Sequence, residues 1–258
     1  MTRAQENGAL ICHIQIAKAA TNSMRRILAN NVPEAALKIS TLKLRSQDGL
    51  GVTTRSGVPE IEALIDDIRQ KEHQLAAVSM MVPVGLHEHV ERPVTYVSIM
   101  RDPMKRCLSA INFVYARRDK HPAAEHFASL NYSPAQLIEA QELLFINDQV
   151  RMLSGTEQKQ ITRTHLEEAK LNIDKHFKFI GVSEAPEQCW RRLETLFGWK
   201  TDPTLVLNKG TYDPSLSFTA RDLEALRSAN SFDQQLYDWV ISDYLPRRHD
   251  ITLSRQTC

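Results

Sequence analysis

Long apolar runs are missing from this chain. No stretch approaches the roughly 18 apolar residues that a membrane-crossing helix needs, and "MTRAQENGALICHIQI" at the start has no long apolar core after its charge. A soluble, cytoplasmic protein is the expectation. An excess of either charge is missing too: 32 Lys and Arg face 31 Asp and Glu, a net charge of +1. Nothing global therefore argues for a nucleic-acid or membrane partner, and any anion site must be local. Cysteines number four, at Cys12, Cys107, Cys189 and Cys258. They are too widely spaced for a disulfide framework and fit free thiols in a reducing compartment. With nine glycines and no Gly-Lys-Ser/Thr ending to any turn, the chain lacks the Walker loop of nucleoside-triphosphate enzymes. It also lacks a Pro/Gly/Ser-rich linker, an internal repeat or a low-complexity tract, so one domain over residues 1–258 is expected.

What is present is alternation. Ala9 to Ile16, Ala35 to Leu42, "AAVSMMV", Pro93 to Met100 and Phe177 to Val182 read as strands. Between them the spacing predicts helices: Ile61, Leu64, Ile65 and Ile68 share one face, Pro103 opens a helix running to about Arg117, and further helical segments surround Ser133 to Leu144, Asn147 to Leu153 and Thr164 to His176. "APEQCWRRLETLFGW" ends near Gly198, and "TARDLEALRSANSFDQQLYDWV" closes the chain as helix. Strands alternating with helices predict an α/β fold of three layers, P-loop-like, with a central parallel sheet flanked by helices and ligands at the carboxyl ends of the strands.

Two strand-to-helix turns carry the chemistry. The first, "AKAATNS", offers Lys18, Thr21, Asn22 and Ser23 where a strand gives way to a helix N-terminus. The second, "RDPMKRCLSA", puts Arg101 at a strand end, Asp102 at a helix cap, Pro103 in its first turn and Ser109 about two turns on. In a parallel sheet both turns fall on one edge, so Lys18 and Arg101 can each face one anionic group of a shared ligand. Two separated phosphates suit this pair better than a triphosphate.

The second turn resembles the 3'-phosphate signature of sulfotransferases that use 3'-phosphoadenosine 5'-phosphosulfate (PAPS), with Arg101, Asp102, Pro103, Arg106 and Ser109 in its positions. The first is similar to the Lys-x-Ala-Cys-Thr-Asn form of the 5'-phosphosulfate loop in carbohydrate sulfotransferases. "VPVGLHEHVERPVTYVSIMRDP", "NDQVRMLSG", "FKFIGVSEAPEQCWRRLETLFGW" and "ARDLEALRSANSFDQQLYDWV" resemble blocks of the heparan-sulfate 2-O-sulfotransferase-like group, in the same order, so the likeness runs from Ile11 to Tyr244. It implies transfer of a sulfuryl group from PAPS, as co-substrate and without a metal, to a hydroxyl of a carbohydrate or other small molecule. Lys18 would contact the bridging and sulfonate oxygens, Ala19, Ala20, Thr21, Asn22 and Ser23 would line the 5'-phosphate loop, and Arg101 and Ser109 would hold the 3'-phosphate. Lys209 and Gly210, in "NKGTY", stand where related enzymes close a loop over the nucleotide.

The family's base is a histidine in a Gly-His-x-Pro-x-Gly block. Here that block reads "MMVPVG", with Met80 and Met81 in the place of the glycine and the histidine. His87 and His89 follow, with Glu88 between them, and one of the two histidines is expected to reach the acceptor from a loop over the sheet edge. A packed role is expected for His13. Arg151 and Arg55 are candidates for an anionic acceptor, whose pocket is expected from the loop of residues 49–57 and the segment of residues 116–155. Arg117, Arg118 and Lys120 read as solvated helix ends. A second reading stays open: a protein of the same fold that binds PAPS or its bisphosphate product without turnover. The acceptor's identity and the oligomeric state are left undetermined.

Overall fold

The computed structural model describes residues 8–40, 59–202, 213 and 215–248. In chain order the elements are β1 (Leu10–Ile14), α1 (Thr21–Asn31), β2 (Leu37–Ile39), α2 (Pro59–Lys71), β3 (Ala77–Met80), β4 (Val94–Met100), α3 (Pro103–Tyr115), α4 (Ala124–Ser129), α5 (Pro134–Glu139), α6 (Asp148–Ser154), α7 (Arg163–His176), β5 (Phe177–Val182), α8 (Pro186–Phe197), α9 (Ala220–Ala229), α10 (Ser231–Trp239) and α11 (Leu245–Arg247). The strands form one parallel sheet in the order β2-β3-β1-β4-β5.

Both faces of this sheet are covered, as an all-parallel sheet requires. Side chains alternate along β1: Leu10, Cys12 and Ile14 join a core with α2, α6, α7 and α10, while Ile11 packs on the opposite face with Met24, Ile27 and Leu28 of α1 and Trp190, Leu193 and Phe197 of α8. A third apolar cluster joins α3, α4, α5 and α9 and includes no strand residue: Cys107, Ala110, Ile111 and Val114 meet Phe127, Leu137 and Leu226. Among the described residues, no helix is long and apolar enough to cross a membrane.

Element ends follow local chemistry. Asp102 caps α3 by accepting from the Lys105 amide at 2.8 Å, and Gly198 ends α8 in the left-handed conformation. The strand expected over Ala35 to Leu42 forms only at Leu37–Ile39. The closing helix breaks at Asn230, whose side chain donates to the Phe145 and Leu226 carbonyls. Cys12, Cys107 and Cys189 are buried free thiols, and burial raises the pKa of each, Cys107 to about 11 and Cys189 to about 12. Cys258 lies outside the described residues.

The order matters for function. Crossing from β3 to β4 passes over β1, so the chain reverses its direction of progress between β1 and β4. An open α/β sheet presents its ligand crevice at such a reversal, outside the carboxyl ends of the two strands. Lys18 follows β1 and Arg101 follows β4.

Candidate functional site

The turn after β1 builds its curvature without glycine. Lys18 (φ 67°) and Ala20 (φ 54°) both take left-handed backbone conformations, each costing an L-residue roughly 1–2 kcal/mol. Three bonds hold them there. The Thr21 hydroxyl donates to the Ile16 carbonyl at 2.8 Å, the Met24 amide donates to the Ala20 carbonyl at 3.1 Å, and the Arg101 guanidinium donates to the Lys18 carbonyl at 3.0 Å. Ala20, at the helix cap, supplies no side-chain oxygen, so the opening amides of α1 face the turn without a side-chain cap. Such an uncapped start carries partial positive charge and donors suited to an anion.

Arg101 therefore ties the two turns together. Its main chain is fixed by Gln149, and its Nε lies 4.0 Å from Glu184. Glu184 in turn accepts from the Asp102 amide at 3.2 Å and the Tyr237 hydroxyl at 2.9 Å. The Lys18 ammonium sits 3.9 Å from the ring centroid of Phe113, and the Arg117 guanidinium 4.0 Å from the same centroid. Burial lowers the Lys18 pKa to about 8, and the Arg101 and Arg117 charges push it the same way.

Ser109, Phe113 and Arg117 recur at four-residue steps, and the Arg117 carbonyl accepts from the His121 amide at 2.7 Å, so the same stripe continues to His121. The His121 ring meets Phe113 edge-on at 5.6 Å, and its Nδ1 accepts from the Ala123 amide at 3.2 Å. One aromatic ring thus gathers Lys18, Arg117 and His121. The reading of Arg117 as a solvated helix end is corrected in part: it is exposed, yet stacked on the Phe113 ring that Lys18 also contacts. Stepping by four from Ser109 was the signal in the sequence that could have found Phe113 and His121.

Other expected residues take different places. Ser23 falls on the buried face of α1 with Met24, Ile27 and Leu28, and Ala19 is buried as well. Thr21 commits its hydroxyl proton to Ile16. Arg106 is fully buried, 3.2 Å from Asp148 and 4.0 Å from Asp233, and donates to the Leu144 carbonyl. It braces the helical cluster away from the turns. Arg151, expected at an acceptor, is also fully buried and donates to the carbonyls of Ile146, Gln158 and Lys159; it stitches α6 to the following loop. Arg118 bonds the Tyr115 carbonyl. Lys209, Gly210 and Arg55 lie outside the described residues.

The two loop histidines are corrected most. His87 Nδ1 lies 2.8 Å from the Tyr96 hydroxyl, and its ring lies against that of His176, tilted by 35° with centroids 4.3 Å apart. His176 directly precedes β5, and Tyr96 pairs in register with Phe177. His87 is thus held near the amino ends of the strands, with Tyr96 four residues, on the order of 13 Å, before the end of β4. It lines a hollow of about 190 Å³ with Val84, Glu88, Ser154, Glu168 and Asn172, at the edge opposite Lys18. His89 is exposed at the end of the same short turn. The chain needs residues 81–93 to return from the end of β3 to the start of β4, and this return carries both histidines away from the anion turns. Met81, at the expected base position, stays just past β3, beside Gln15, whose amide bonds the Met80 carbonyl.

His13 is buried as expected. Its Nδ1 lies 2.7 Å from the Ser79 hydroxyl, which also accepts from Gln15 Nε2 at 2.9 Å, and Gln15 accepts from Arg25 at 2.6 Å. Burial, then the Arg25 charge, lowers its pKa to about 3. No cluster of three or more His, Cys, Asp or Glu placed to hold a metal occurs among the described residues.

Compared with known proteins, the chain matches no family model, and a search of curated proteins finds no match.

Proposed function

We propose that this protein binds PAPS across the ends of β1 and β4 and transfers its sulfuryl group to an acceptor hydroxyl. One observation carries the reading: the Arg101 guanidinium donates to the Lys18 backbone carbonyl, so two cation-bearing turns 83 residues apart meet at the reversal point of the sheet. An anion placed there meets the uncapped start of α1 and a partly desolvated ammonium. A second anion meets the guanidinium at the start of α3, with Ser109 farther along that helix. Two such anions belong to a nucleotide with separated 5' and 3' groups.

In the reaction the acceptor oxygen attacks sulfur as the bond from sulfur to the bridging phosphate oxygen breaks. The hydroxyl proton passes to a base, and the bisphosphate leaves with the bonding electrons. Protonated Lys18 stabilises the charge that builds on the bridging oxygen.

Adenosine 3',5'-bisphosphate at millimolar concentration is expected to raise the melting temperature, because a ligand bound only by the folded state stabilises it. Label from radioactive PAPS is expected to appear in a carbohydrate or small-molecule acceptor, and to be lost in Lys18→Ala. No stabilisation by the bisphosphate overturns the reading. A second reading, binding without turnover, is favoured by Met81 at the expected base position together with the removal of His87 and His89 from this edge. Stabilisation with no label transfer across a broad acceptor panel selects it.

A further inference from the structure

The α6 start contributes a group that neither turn contains. Gln149, fully buried, meets the Arg101 backbone at two points: its Oε1 accepts from the Arg101 amide at 3.0 Å, and its Nε2 donates to the Arg101 carbonyl at 2.8 Å. This pairing copies a strand neighbour. β1 no longer runs beside β4 here, since its last partner is Ser98, while on the other side the Ser183 amide bonds the Met100 carbonyl. Without Gln149, both polar groups of the Arg101 backbone would lack this partner at the point where β4 turns into α3.

Gln149 is itself anchored. Its amide donates to Asp233 at 3.0 Å and the Val150 amide to the same carboxylate at 2.8 Å. Asn147 Oδ1 accepts from the Phe232 and Asp233 amides, each at 3.0 Å. α6 and α10 thus cap each other, and the pair grips Arg101 through one carboxamide.

We propose that Gln149 is a positioning residue for Arg101 and thereby sets the preference of the site for a nucleotide carrying a 3'-phosphate. This rests on the nucleotide reading above. A guanidinium discriminates a phosphate through bond direction as well as charge, and the carboxamide fixes the backbone from which that direction starts.

The test compares calorimetric dissociation constants for adenosine 3',5'-bisphosphate and adenosine 5'-phosphate in the full chain. Wild type is expected to prefer the bisphosphate by at least tenfold, and Arg101→Ala to lose that preference. Gln149→Met and Gln149→Glu are each expected to lose most of it while changing the 5'-phosphate constant less than threefold. A merely structural role would weaken both nucleotides together. The isosteric Gln149→Glu keeps an acceptor for the Arg101 amide but repels its carbonyl, and it decides the matter if Gln149→Met does not fold. Retained preference in a Gln149 variant, with preference lost in Arg101→Ala, overturns the positioning role alone. Equal or absent binding of the two nucleotides by wild type overturns the nucleotide reading, and the positioning role with it.

Discussion

The Lys18 ammonium rests 3.9 Å from the centroid of the Phe113 ring, so the turn after β1 touches the body of helix α3. With two arginines near it and its pKa lowered to about 8, this lysine titrates where few others do. A lysine depressed from 10.5 costs the folded state stability below pH 8, and that cost fades as pH rises toward 10.5, because there the unfolded chain binds more protons. An anion reverses the effect by favouring the charged form. Bisphosphate affinity is therefore expected to fall as pH rises through 8, with net proton uptake on binding at pH 8.5, where phosphate is already fully ionised. Calorimetry in buffers of different ionisation enthalpy measures the uptake. Lys18→Met should abolish it.

If a histidine takes the acceptor proton, we propose His121, which shares the Phe113 ring with Lys18, rather than His87. His121→Ala is expected to lower turnover at least tenfold, the usual scale of general acid–base catalysis being larger still. His87→Ala should leave turnover and bisphosphate binding within twofold of wild type. Single-turnover rates on the two variants distinguish them, and a large loss only in His87→Ala would contradict the placement of these residues.

His13 predicts acid sensitivity. A histidine depressed from 6.5 to about 3 is neutral in the folded protein but charged in the unfolded one below pH 6.5. Stability drops as pH falls, with a limiting slope of about 1.4 kcal/mol per unit from this group. Denaturant melts at pH 7 and pH 5 should differ by about 2 kcal/mol more in wild type than in His13→Gln.

Gly181 on β5 leaves room for its neighbours. A Cβ there would lie 2.6 Å from Cys189 Sγ and 2.7 Å from the Phe179 ring, both fully packed. Gly181→Ala is expected to lower the unfolding free energy by about 2–3 kcal/mol, the upper range for overpacking. Adding Cys189→Ala should recover part of the loss, and chemical denaturation of the single and double variants measures both.

The sequence alone determined the alternation of elements, and with it the α/β class and the edge on which Lys18 and Arg101 lie. Those properties follow from local chemistry: apolar strands, Asp102 and Pro103 opening α3, Gly198 closing α8. Residue roles that depend on depth were decided only in three dimensions. Arg106 stands in the 3'-phosphate signature and Arg151 reads as a candidate for an anionic acceptor, yet packing buries both and assigns their donors to carboxylates and carbonyls. His87 and His89 lie close in sequence to the end of β3, but a parallel sheet obliges the chain to return to its other edge before β4 begins, and that return removed them from the anion turns. The contact of Lys18 with Phe113, and the grip of Gln149 on Arg101, join segments 95 and 48 residues apart, a distance across which no local pattern reports.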